Sequence, residues 1–148
     1  MTAAYHVFPN ASQLALTKAL SLNGVDTLKV ALYQAGTVTW NGTTEAYTTL
    51  SGLVTGASLT EVSSSGYTAG GVALTSVTVA TSGLVTTLTC ANPSWTGVTF
   101  TAQFAVFYDS SVSSDLLCYA DFGAGVPVTS GTFTLGISGS GLITWTAS

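Results

Sequence analysis

The chain has 148 residues, enough for one domain that buries a single core without obligatory metals or disulfides. Only 5% of them are charged and the net charge is −4, where an ordinary soluble domain carries about 25% charged residues. Lys18 and Lys29 are the only Lys or Arg, so there is no basic face to neutralise phosphates and no nucleic-acid partner is expected.

The N-terminal residues 1–8 read as an arm, and residues 9–148 as a single β-sandwich domain. Pro9-Asn10 looks like a helix start, with Asn10 as N-cap, Gln13 as its capping-box partner and Ala, Leu and Lys filling the turns to Leu22. Asn23-Gly24 would end that helix of about 10–22. Leu14, Leu16, Ala19 and Leu20 form its expected buried stripe. Leu28, Val30 and Leu32 then alternate with Thr27, Lys29 and Ala31, the period of a half-buried strand.

From Gln34 to Val54 the alternation gives way to Gly, Thr and Asn around isolated aromatics, a long excursion with one helical turn near Tyr47–Leu53. Loops of this length in a compact domain usually make contacts, and Trp40 and Tyr47 are the aromatics on it. Ser58–Val62 reads as a short strand leading to Ser65-Gly-Tyr-Thr-Ala-Gly-Gly71. There Gly66, Gly70 and Gly71 permit sharp turns around the anchor Tyr67, a structural hinge between two halves.

Beyond the hinge, turn signals recur every few residues. Val72–Ala80 and Leu84–Cys90 make a hairpin across Ser82-Gly83. Trp95 precedes Phe100–Tyr108, where Phe100, Ala102, Phe104, Val106 and Tyr108 share one expected face and Ala105 and Phe107 the other; a strand apolar on both faces belongs between two layers. Leu116–Phe122 follows, then a glycine-rich link from Gly123 to Ser130. Thr132–Ile137 and Leu142–Thr146 close the chain as a hairpin. The expected fold is mainly β, an antiparallel β-sandwich or jelly-roll-like domain with one short N-terminal helix.

No segment reaches the 18 or more apolar residues of a membrane helix. No Lys or Arg precedes Lys18, so a secretory signal peptide is not expected, nor is a small outer-membrane barrel, which needs export and strands of about 9–11 residues. Without export, Cys90 and Cys118 are expected as buried free thiols, a cross-strand disulfide being the other reading. The matches of Asn10-Ala-Ser12 and Asn41-Gly-Thr43 to the glycosylation pattern then carry no weight.

No residue set calls for catalysis, a metal or a cofactor. The one imidazole, His6, lies in the expected arm, and no serine has a base beside it in the sequence. Asp109, Asp115 and Asp121 flank one hairpin and could in principle act as paired carboxylates, but Asp beside turns serves local hydrogen bonding. One His and two separated Cys match no zinc spacing, and the glycine segment lacks the Lys-Ser/Thr of a phosphate loop.

Several segments together resemble a family of small structural proteins of tailed bacteriophages. They are Asp26-Thr-Leu-Lys-Val-Ala-Leu32, Gly66-Tyr-Thr-Ala-Gly-Gly71 with Leu74, Trp95 ahead of Phe100-Thr-Ala-Gln-Phe-Ala-Val-Phe-Tyr-Asp109, and Cys118-Tyr-Ala-Asp-Phe-Gly123. The resemblance runs from about Leu14 to Trp145. It implies a β-rich, non-enzymatic virion component without cofactors, assembled in the host cytoplasm: a capsid decoration or cement protein, a head fibre, or a tail or fibre part.

Two roles follow. The first is a decoration protein on the outer face of the major capsid protein, a homo-oligomer and most simply a trimer, with His6, Phe8, Trp40 and Tyr47 as partner contacts. The charge deficit fits it independently: Thr, Ser and Gly replace the charge that keeps a monomer soluble and blocks edge pairing of sheets. The second is a tail or fibre host-recognition module in which a loop aromatic stacks on a sugar.

Overall fold

A computed structural model describes residues 3–17, 25–36, 38–111 and 113–147. In chain order the elements are β1 (Ala4–Val7), α1 (Pro9–Leu16), β2 (Leu28–Tyr33), α2 (Leu50–Gly56), β3 (Val72–Ala73), β4 (Thr78–Ser82), β5 (Val85–Thr89), β6 (Ser94–Asp109), β7 (Asp115–Thr134) and β8 (Ile143–Thr146). They build two antiparallel sheets, one of five strands ordered β1-β7-β6-β2-β3 and one of three ordered β4-β5-β8. The mainly β, sandwich-type architecture expected from the sequence is the one found.

The larger sheet is covered on both faces. Leu28, Val30 and Leu32 of β2 join Ala105 and Phe107 of β6, Leu88 of β5 and Ile143 of β8 in one buried cluster between the sheets. Ala31 and Tyr33 turn the other way and pack with Phe104, Val106, Tyr108 and Tyr119 beneath Leu53 and Leu59 of the 34–61 excursion. Alternation in β2 and β6 thus serves two cores, which is why both strands are apolar on both faces. Each Val, Leu, Ile or Phe among them, fully buried, contributes about 1.5–3 kcal/mol relative to exposure.

Several boundaries differ from the sequence expectation, each for a local reason. Residues 4–7, expected as part of an arm, are the edge strand β1, with Tyr5 opposite Ala120 and Val7 opposite Cys118. In α1, Phe8 rather than Asn10 is the N-cap, and Pro9 takes the first turn, where its missing N–H costs nothing. Asn10 Nδ2 instead donates to the Thr48 carbonyl at 3.1 Å. Of the expected stripe, Leu14 packs on the core but Leu16 is 85% exposed; Ala19, Leu20 and the stop at Asn23-Gly24 lie outside the described residues.

Val72–Ala80 is not one strand. β3 pairs with β2 in the larger sheet, and after Ser76, at φ +52°, the chain enters the smaller one as β4. Ser58–Val62 makes only an isolated bridge, Glu61 to Tyr33. The link 123–130 is no break either: β7 runs through it as one strand, with register shifts against β6 between Trp95 and Val98, Val98 and Phe100, Ala102 and Phe104, and Phe107 and Tyr108. The shift between Ala102 and Phe104 divides the expected common face, so Phe100 and Ala102 sit in the first cluster while Phe104, Val106 and Tyr108 sit in the second. The last two segments do not form a hairpin with each other, because β8 crosses to pair with β5.

Candidate functional site

Three of the four expected contact residues meet on one ring that the sequence did not single out. Tyr119 of β7 lies opposite His6 of β1, and the two rings stack at 4.8 Å with 12° between their planes. Trp40, brought over by the excursion, stacks on Tyr119 at 3.7 Å and 13° and meets Phe104 edge-on at 5.5 Å. Phe8 is fully buried against both Tyr119 and Trp40. The phenol of Tyr119 donates to Glu45 Oε1 at 2.8 Å. Burial, that accepting carboxylate and Asp121 hold its pKa above the ordinary phenol range.

The cluster therefore fixes the excursion to the sheet. His6 is exposed, whereas Phe8 is core and is not placed to touch a partner. One face of Trp40 is taken by Tyr119, and its indole N–H is buried with no hydrogen-bond partner among the described residues. Tyr47, the fourth contact residue, is half-buried against the second core. Its ring lies over Gly52 and Gly56 of α2, where any Cβ at Gly56 would collide with the phenol.

The glycine segment 65–71 is tied down. β3 pairs with only Lys29 and Val30, so the rest of the β2 edge needs other partners. The Leu32 N–H donates to Tyr67 Oη at 2.9 Å, its carbonyl accepts from Val62 N–H, and Gln34 N–H reaches the Thr60 carbonyl. Tyr67 in turn donates to Glu61 Oε1 at 2.7 Å, an oxygen that also accepts the Gly70 N–H at 2.7 Å. Tyr108 donates to the Gly70 carbonyl at 2.6 Å. Gly71, at φ +72°, lies so close to the Val30 backbone that no side chain fits. The expected hinge is a strap completing a sheet edge.

Two of the three expected carboxylates hold turns, and Asp121 stands apart from the other two. Asp121 Oδ1 accepts the Gly123 N–H and Asp109 Oδ1 the Ser111 N–H. Asp115 sits opposite Asp109 in the β6–β7 register, whereas Asp121 lies six residues further along β7, about 20 Å at strand rise, outside the roughly 5–9.5 Å at which paired glycosidase carboxylates stand. Asp109 is only 1% exposed. Burial and the neighbouring Asp26 carboxyl raise its pKa, against the Ser111 hydrogen bonds that lower it.

Cys90 and Cys118 are free thiols, Cys118 fully buried and Cys90 pushed up to about 11 by burial. A cleft of about 290 Å³ opens beside α2 between Tyr33, Val54, Glu61 and Ser114. Among the described residues no group of three or more His, Cys, Asp or Glu could hold a metal ion, and no helix is long and apolar enough to cross a membrane.

The smaller sheet differs from the rest in charge. No Asp, Glu, Lys, Arg or His occurs from 62 to 108 or from 122 to 148, so β4, β5 and β8 carry none. All five residues of β4 are exposed. Comparison with known proteins found no matching family model, no matching curated protein and no matching solved structure.

Proposed function

We propose that this chain is a non-enzymatic structural protein of a bacteriophage virion, a capsid decoration protein that binds the outer face of the major capsid protein and works as a homo-oligomer. The observation that carries this reading is the neutral second sheet. A strand with every side chain exposed, no charge and no buried face of its own contributes little to the core of its domain. Such a strand suits a protein held by neighbours in an ordered layer. The segment resemblance to small phage structural proteins points the same way.

The test is the copy number per purified particle, measured by quantitative mass spectrometry against the major capsid protein with heads and tails separated. A count comparable to the capsid protein, travelling with heads, is expected. A few copies found with tails would replace this reading by a fibre or host-recognition part, and shells lacking the chain altogether would refute it.

A further inference from the structure

Among the described residues β4 has one strand neighbour, β5, and its other edge is unpaired. Natural edge strands are usually blunted by Lys, Pro, a bulge or a covering segment. β4 reads Thr-Val-Ala-Thr-Ser, pairs with β5 without a register shift and is exposed along its whole length. Val79 at 43% and Leu84 at 66% exposure place two large apolar side chains on this same hairpin.

The hairpin fixes which backbone groups face outward. Ser82 and Val85 close a two-residue turn at Gly83-Leu84, with Gly83 at φ +60°. The closing pair of such a turn is hydrogen-bonded. Ser82, Ala80 and Thr78 therefore turn their N–H and C=O toward β5, while Val79 and Thr81 turn theirs to solvent. An antiparallel copy of the same strand centred on Ala80 sets Val79 against Thr81 of the other copy, so every outward donor meets an outward acceptor.

We propose that β4 is a self-association edge, pairing antiparallel with β4 of a second copy about a two-fold axis at Ala80 and joining two three-stranded sheets into one of six. Charge selects this occupant. Two copies each carrying −4 repel wherever their carboxylates face each other, and the carboxylates all belong to the larger sheet and its connections. Approach through β4 opposes no charged groups. The inference rests on the homo-oligomer part of the role proposed above, and it is tested without particles, so the two can fail separately.

Sedimentation equilibrium of the purified full chain is expected to show a concentration-dependent dimer. Ala80→Lys sets two ammonium groups against each other at the axis and is expected to raise the dimer dissociation constant at least about tenfold, with the monomer's thermal midpoint unchanged. Ala80→Cys is expected to form a disulfide-linked dimer under oxidised glutathione, while Thr55→Cys, at an exposed position of α2, and the unmodified chain do not. A chain monomeric at all concentrations, a trimeric mass that Ala80→Lys leaves intact, or equal cross-linking at positions 55 and 80 would each overturn the proposal.

Discussion

Trp40 and Tyr119 hold the excursion to the larger sheet through one stacked contact, and its removal can be read as a free energy. Trp40→Ala deletes a half-buried ring that also touches Phe8 and Phe104. It is expected to lower unfolding stability by about 2–3 kcal/mol in chemical denaturation, below the full-core range because the ring is partly exposed. Asp109 is the residue whose burial sets a pH dependence. Its raised pKa means that the folded state holds the proton more firmly than the unfolded chain does. Stability is therefore full in acid and is lost as pH rises from the ordinary carboxylate value to the raised one. Asp109→Asn keeps the acceptor for Ser111 N–H and removes the charge. It is expected to raise the thermal midpoint at neutral pH, with the difference vanishing below the ordinary carboxylate range. Residue types offered His6 and Trp40 as partner contacts, and the structure stacks both on Tyr119 of the same chain: Tyr119 had no signal beyond being an aromatic in a short alternating strand, and Phe8 looked terminal because four residues of β1 are too few for a periodicity.

At the scale of elements, the glycines separate into those the packing demands and those it only permits. Gly71 has positive φ and lies against the Val30 backbone, so Gly71→Ala combines left-handed strain with a backbone clash. A loss of about 2–4 kcal/mol or failure to fold is expected. Gly83 also has positive φ but faces open space, so Gly83→Ala should cost only about 1 kcal/mol of the same strain. Paired thermal melts of the two variants check the ranking. Strand interiors such as β2 and the middle of β6 were legible because alternation survives in them. The corner at Ser76, the shift between Ala102 and Phe104 and the crossing of β8 to β5 were not, because each depends on which sheet the chain joins next. Local pattern carries that information only where a glycine or a bulge happens to mark it.

For the whole molecule the deciding feature is where charge is absent: the sequence shows two uncharged stretches, but not that strands from both share one sheet. The fold draws β4, β5 and β8 from two uncharged stretches, 62–108 and 122–148, into one sheet without a charged side chain. A contact made through that sheet should be almost blind to ionic strength. Raising salt from about 0.01 to 1 M shortens the screening length from roughly 30 to 3 Å, which weakens attraction between opposite charges and relieves repulsion between like ones. The net −4 of each copy sits away from β4, so the relief should be small. The dimer dissociation constant is expected to change by less than about threefold across that range, in sedimentation runs at matched protein concentration. A contact through the β1 side, where Glu45, Asp121 and His6 gather around Tyr119, would bring carboxylates of two copies together. It would tighten steeply as salt is added, so the salt dependence alone tells the two surfaces apart.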